Sequence, residues 1–577
     1  MTRLRLRSYL SAVTLITLIW AGSSSADDAS IRGHIHVLAN GNADARHAAA
    51  GALVSTGDAR LEAFFESYLT DSLYLWNDVL LVGGDITEDD DLNEWVPLFD
   101  PLTRTPYLHG GEAALIMIDD LEEISPSRKE RSFMLNSKHL LRLSSSSEHM
   151  RLAGAKKCGN LPGIPEAYEQ LQLMGETDPV EIVRRTAQES VRLISFQASL
   201  DDLTSEAHML VVQDLAATKS IRGLSRIEAQ LQSLPELRDL DVETRDRLEH
   251  LYASSIETIK GHISFVERCA SVFQGLSLGS VLVLMALGLA ITFGLMGVIN
   301  MAHGEFMMLG AYATYEVQCL FSWLIERGVL SQSAFDWYYV AALPVAFLVA
   351  GMIGLIVEVS VIRFLYRKPL ESLLATWGVG LVLIQLVRLR YGDNIGVTAP
   401  MWARGGIEII QDVVLPYSRC FIIALCAVSM SLVYILMGKT RIGLRMRATM
   451  QNRDMAKGLG VNTQRVDRFT FAFGSGLAGI AGYAWTLIGG VTPDMGQKNF
   501  IIDSFLVVVT GGVGELAGVI FSGIGIGILT KFVEPLQFGD FTMGAIWAKV
   551  TLLVAIAIFI QFKPAGLFAP KGRLSDV

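Results

Sequence analysis

Charge is scarce in this chain and cysteine scarcer. Only 18% of its 577 residues are Asp, Glu, Lys or Arg, against 51% hydrophobic, which excludes an ordinary soluble protein of this size. Five cysteines (158, 269, 319, 420 and 426) with no C-x-x-C pair exclude a disulfide framework. No H-E-x-x-H or cysteine cluster offers a metal site, and no cofactor is expected. Positive charge is in deficit: the net charge of −10 argues against nucleic-acid binding. Two near-motifs also fall short. "MGKT" (Met437–Thr440) ends like a phosphate-binding loop, but Val433 stands where the first glycine belongs and the stretch follows an apolar run rather than a strand. The chain is therefore not expected to bind ATP itself. "GLSLG" (Gly275–Gly279) fits G-x-S-x-G, yet its serine opens an apolar helix instead of a strand-to-helix elbow. No enzymatic activity is expected.

What is present is unevenly distributed. Residues 27–268 are mixed and charge-rich, whereas 269–565 hold a series of long apolar runs. A spanning helix needs roughly 20 apolar residues, and the second half supplies that repeatedly. Ahead of both, "MTRLRLR", a short apolar core and "SSSA" read as a secretory signal (1–26) cleaved near Ala26. That reading puts residues 27–268 outside the cytoplasm.

The soluble half reads as mainly helical, α+β. Arg46 with Ala49 and Leu53, Arg151 with Gly154 and Cys158, and Arg184 with Ala187 and Val191 share one spacing, the last two sets 33 positions apart. That period predicts a HEAT-like array of stacked helix pairs. "LYLWNDVLLV" predicts a β-hairpin turning at Asn77-Asp78. The acidic "TEDDDLNE" (Thr87–Glu94) lacks the glycine and terminal glutamate of a calcium loop and reads as a solvated loop.

In the second half, apolar runs near 270–298, 305–325, 338–362, 372–390, 417–437, 469–489, 500–533 and 542–562 predict a polytopic α-helical membrane domain of eight or nine transmembrane helices. The 500–533 run is broken by "GGVGE" (Gly511–Glu515). Basic residues in "RFLYRK" and across 439–468 place those loops in the cytoplasm. A short cytoplasmic tail, 566–577, is expected to follow. Gly474, Ala478 and Gly482 have the small-xxx-small spacing of close helix contacts.

One apolar run is interrupted by Asn300, His303 and Glu305, in "INMAHGEFMMLGAY". Polar groups at membrane depth are costly and call for a reason. Thr376 and Asp503 are further candidates in otherwise apolar runs. Glu358 is expected to snorkel to the inner interface, and Glu515 to line a pathway or cap a half-helix.

"DMAKGLG" (Asp454–Gly460), in the basic loop, resembles the E-A-A-x-x-x-G loop of bacterial ABC importer permeases, with aspartate and methionine substituted and the downstream I-x-L-P missing. "GLSLGSVLVLMALGLAITFGLMGVINMAHGEFMMLGAY", "RIGLRMRATMQNRDMAKGLGVN" and "SFLVVVTGGVGELAGVIFSGIGIGIL" resemble, in order over roughly 273–570, the branched-chain amino acid ABC permease family. "LLATWG", "TMQNRDMAKGLGVNTQRVD" and "NFIIDSFLVVVTGGVGELAG" are most similar to its urea-importer branch. The resemblance implies an inner-membrane permease for urea, with branched-chain amino acids or short amides as the alternative solutes. A membrane sensor is the rival from another class. The resemblance to the permease family also implies cytoplasmic ATPase subunits docked at Asp454, Met455, Ala456 and Gly460, a second related permease, and an extracytoplasmic solute-binding protein. It also places Asn300, His303, Glu305, Thr376 and Asp503 as candidates for the translocation pathway. Two readings of the triplet stay open: it touches solute, or it only stitches a tight helical turn between Gly297 and Gly304.

Overall fold

The computed structural model describes residues 28–568, apart from short gaps at 42, 57, 59, 71, 78, 85, 89–93, 110–111, 126–127, 161–164, 237–240, 366–367, 411–412, 539–540 and 543. The expected signal segment, the middle of the acidic loop and most of the tail lie outside the described residues. The chain divides into two units, Met1–Ile263 and Ser264–Val577.

The first unit opens with three helices, α1 (Asp28–Asn40), α2 (Ala43–Ser55) and α3 (Arg60–Leu69). Eight short strands follow: β1 (Leu73–Trp76), β2 (Val79–Gly83), β3 (Thr87–Glu88), β4 (Glu94–Phe99), β5 (Leu108–His109), β6 (Glu112–Ala113), β7 (Leu115–Met117) and β8 (Glu122–Glu123). Six of them make a curled antiparallel sheet in the order β3-β4-β2-β1-β8, with β7 on β4. β1 and β2 pair as a hairpin, Trp76 opposite Val79. Asn77 takes the left-handed backbone (φ 51°) that its turn requires. Alternation along these strands buries both faces. Leu73, Leu80 and Val82 pack on Ile31, Leu38, Phe64 and Phe65 of the helices, while Tyr74, Leu81, Val96 and Leu98 form a second layer.

Helices α4 (Arg128–Leu143), α5 (Glu148–Cys158), α6 (Pro165–Thr177), α7 (Glu181–Ala198), α8 (Glu206–Ala217) and α9 (Ile221–Ser233) complete the unit. It is not the HEAT-like array expected, because a sheet lies among its helices and the matched arginines are not equivalent. Arg46 donates to the nearby Gly41 carbonyl, Arg151 forms a buried pair with Asp178 (2.7 Å), and Arg184 donates to the Asp178 backbone carbonyl. A true repeat would reuse one contact.

The second unit takes over within α10 (Val242–Met296), followed by α11 (His303–Glu326), α12 (Trp337–Ser360), α13 (Pro369–Tyr391), α14 (Tyr417–Lys439), α15 (Arg441–Gln451), α16 (Arg453–Gly458), α17 (Thr463–Trp485), α18 (Ile501–Gly511), α19 (Leu516–Val533) and α20 (Gly544–Phe562). Six helices among the described residues are long and apolar enough to cross a membrane, not the eight or nine expected: α10, α12, α13, α14, α19 and α20. Two causes explain the overcount. The runs at 305–325 and 469–489 fold as α11 and α17, but glycines, hydroxyls and carboxylates lower their apolarity, and both are largely buried by neighbouring helices. The 500–533 run breaks at Gly512 (φ 106°) and Gly514 (φ 83°). The 11-residue α18 rises only about 16 Å, half of a ~30 Å hydrocarbon core.

Helices α11, α12 and α17 form the most extensive packing of the unit, and small residues permit it. A Cβ on Gly474 would lie 2.8 Å from the Gly288 carbonyl oxygen of α10, and one on Gly304 2.7 Å from the Gly496 backbone. Both are closer than carbon atoms normally approach, so only glycine leaves room.

Candidate translocation site

The apolar helix α10 ends at Met296, and Gly297 turns the chain with φ 64°, a conformation costly for other residues. Six residues later α11 starts, so Asn300 lies inside a helix break. All three members of the polar triplet are buried: Asn300 is 1% exposed, His303 0% and Glu305 2%.

Asn300 and His303 each stitch the break with one polar atom and leave another unused. Asn300 Oδ1 accepts from the Ala302 amide (3.1 Å). His303 Nε2 donates to the Met285 carbonyl of α10 (3.0 Å), which leaves Nδ1 an acceptor in the neutral ring. Asn300 Nδ2, His303 Nδ1 and Glu305 Oε2 have no hydrogen-bond partner among the described residues. Leaving such groups dry costs about 1–3 kcal/mol each, so a purely architectural role leaves these three atoms unexplained.

Thr376 and Gly380 on α13 form the facing wall. The Thr376 hydroxyl accepts from the Met301 amide (3.1 Å) and donates to the Ser372 carbonyl (2.8 Å), holding the break against α13. One turn on, the Glu305 carboxylate lies over Gly380, where a Cβ would come 3.1 Å from its Cδ. Still further along the same pair of helices, Tyr391 donates to Glu316 (2.5 Å) and Arg388 pairs with Asp393 (2.8 Å) and Asp494 (3.8 Å). Helices α11 and α13 therefore run side by side in one direction, from the break to a charged end. Tyr312 lies along this seam, its buried hydroxyl without a hydrogen-bond partner among the described residues. Sequence reading missed Gly380, Tyr312, Arg388 and Asp494. The signal available for Tyr312 was a phenol in an apolar run four residues before Glu316.

Thr376 thus joins the triplet, whereas Asp503 does not. Its carboxylate is 3.4 Å from Lys549 Nζ on α20. Glu358 is 3.7 Å from Arg468, and Glu515 sits at the N-terminus of α19.

The basic loop carries α15 and α16. Asn452 Oδ1 accepts from the Met455 amide (2.9 Å) and starts α16, and Asp454 sits in its first turn, where an acid suits the helix dipole. Ala456 is buried, while Met455 and Leu459 are 62% and 79% exposed. Gly460 ends the segment with φ 83°. Arg453 pairs with Asp467 of α17, tying the exposed helix to the bundle. The Met450 methyl of α15 reaches Gly294 and Gly514, a Cβ on which would lie 3.1 and 2.7 Å away. The loop therefore touches both broken segments directly.

A bundle of apolar helices with a broken, polar-lined pair inside it, and a short exposed helix on a basic loop, defines a membrane transport permease. The comparisons narrow this. Residues 271–562, just over half of the chain, match the branched-chain amino acid transport system permease component family, and the chain belongs to it. It is 30% identical over 307 residues to the high-affinity branched-chain amino acid transport system permease protein LivH of Escherichia coli K12 (50% of this chain, 94% of LivH). It is 26% identical to BraD, the corresponding permease protein of Pseudomonas aeruginosa (51% and 93%), and 24% identical to a probable LivH of Methanocaldococcus jannaschii (50% and 88%). No solved structure matches the chain.

The chain is a non-catalytic permease component, multi-pass in the inner membrane. The expectation of urea as the solute is overturned: relatives from Escherichia, Pseudomonas and Methanocaldococcus are all named for branched-chain amino acid transport.

Proposed function

We propose that this chain is a permease subunit of an ATP-driven importer for branched-chain amino acids. Family membership and the names of its relatives support the transported class. The observation that carries the site is the set of three unpartnered buried atoms at the helix break, Asn300 Nδ2, His303 Nδ1 and Glu305 Oε2. Broken helices inside membranes are where transporters commonly hold solute. An amino-acid zwitterion offers complements: its carboxylate to the Asn300 amide, its ammonium to Glu305 and His303. The apolar side chain then faces apolar walls such as those of Phe306 and Met301. Gly297 is the hinge about which α10 and α11 rearrange.

Energy reaches the break from the loop. Cytoplasmic ATPase subunits dock on α16, through Asp454, Met455, Ala456 and Gly460 with the exposed Leu459. Movement of α15 is then passed to Gly294 and Gly514 through Met450. A second related permease completes the conduit, and an extracytoplasmic binding protein delivers solute.

The test is uptake of labelled leucine, isoleucine and valine by cells lacking their own branched-chain importers and supplied with the complete transporter. Saturable uptake that falls at least tenfold in Glu305→Gln, with equal membrane content, supports the reading. Uptake of urea with none of the three amino acids overturns it.

A further inference from the structure

Between α12, α14 and α17 the membrane unit carries an apolar groove made of two adjoining hollows of about 420 and 370 Å³. The hollows share Phe347, Leu348 and Phe473. Leu348 and Leu432 on its rim are 57% and 61% exposed, and Ser429 is its polar exception. From Leu343 to Leu355, α12 rises about 18 Å, close to the ~15 Å of one leaflet's hydrocarbon. The groove thus has the length of one lipid tail rather than that of a spanning helix.

One end of the groove is marked by charge. It closes at Leu355, Leu436 and Phe469, and each of the three strands of chain leaving it places a cation just beyond. Arg468 immediately precedes Phe469, Lys439 and Arg441 follow Leu436, and Arg363 follows α12. Arg363 and Arg468 both lie within electrostatic reach of Glu358, as does Asp467; Glu358 stands 3.7 Å from Arg468, and Asp467 is paired with Arg453. Five cations, counting Arg453, against the two carboxylates of Glu358 and Asp467 leave an excess of positive charge at the depth of a lipid headgroup. Basic pockets between membrane helices hold anionic headgroups in this way.

We propose that this groove is a binding site for an anionic phospholipid, one acyl tail lying along Phe347, Leu348 and Phe473 and the phosphate facing Arg468, Lys439, Arg441 and Arg363. The site borders α17, which begins at the coupling loop. The lipid therefore fills the space against which α12, α14 and α17 shift.

Mass spectrometry of phospholipids retained by the full-length chain, purified from membranes in mild detergent, tests this. Phosphatidylglycerol should be enriched at least threefold over phosphatidylethanolamine relative to the source membrane. Lys439→Gln with Arg441→Gln should remove the enrichment. So should Leu432→Trp, which fills the groove from an exposed position and leaves every cation in place. A retained lipid composition equal to that of the membrane overturns the proposal. Loss in the charge variant with none in Leu432→Trp overturns it too, since the phosphate would then bind without a tail in the groove. Crosslinking from Leu348→Cys to a protein helix instead of lipid would overturn the choice of occupant.

Discussion

The Thr376 hydroxyl on α13 holds the backbone of the break, and Thr376→Val removes it at almost constant volume. The Met301 amide, 3.1 Å from Thr376 Oγ1, would then be left without that acceptor in a site where Thr376 itself is fully buried. An orphaned buried donor costs about 1–3 kcal/mol, equivalent to a shift of roughly 5- to 150-fold between two states. Hydrogen exchange of the Met301 amide, followed by mass spectrometry of the purified protein, should accelerate by that factor in Thr376→Val. Exchange in the middle of α12 should stay unchanged. Thr376→Ser, which retains the acceptor, should stay within about twofold of the parent protein. Transport should fall in step with exchange in the valine variant alone. If the Met301 amide in Thr376→Val exchanges at the parent rate, the hydroxyl does not hold the break and the hinge argument fails.

Three further outcomes follow from the same structure. Gly304→Val puts carbon atoms into the Gly496 backbone, so overpacking of at least about 1–3 kcal/mol should sharply reduce folded protein, read as detergent-solubilised monodisperse yield. Met455→Asp with Leu459→Asp should leave insertion intact and weaken co-purification of the ATPase subunits at least tenfold; full co-purification would refute docking on α16. In the first unit, buried His208 bridges Ser199 (2.8 Å) and Tyr252 (2.6 Å), and burial holds its pKa below the ordinary 6.5, with the Asp202 charge opposing. The unfolded chain therefore takes up the proton first. Stability is complete above about pH 6.5 and is lost as pH falls through the folded value. Exchange in α8 should accelerate between about pH 7.5 and about pH 5, beyond the intrinsic pH effect, and His208→Gln should flatten that dependence.

Much of the membrane unit was legible because its physics is local. Long apolar runs, a glycine before a polar triplet, and a motif opening with the acid Asp454 on a basic loop all mark positions in the chain itself. The number of crossings was not legible in the same way. A run such as 469–489 looks apolar enough, yet its glycines serve contact with α10, α11 and α12 rather than exposure to lipid. The sheet was obscured because both of its faces are covered. Leu80, Leu81 and Val82 read as a continuous apolar run, although successive side chains enter different clusters. The arginine spacing misled because side chains at equal intervals reach unequal partners, and only the folded chain separates Arg151 on Asp178 from Arg46 on Gly41. At the site, Asn300, His303, Glu305 and Thr376 were visible as polar residues in apolar surroundings. Gly380 was invisible, since its contribution is an absent side chain opposite Glu305. The solute was misread because short stretches similar to the urea branch were weighed above the family as a whole, whose relatives here are named for branched-chain amino acid transport.

The most direct measurement is made in proteoliposomes holding this chain with the proposed ATPase subunits, second permease and solute-binding protein. ATP enclosed with the nucleotide-binding side should drive accumulation of labelled leucine above the external concentration, and omission of ATP or Glu305→Gln should abolish it. Equilibration of leucine without accumulation, or accumulation indifferent to Glu305, would contradict the account.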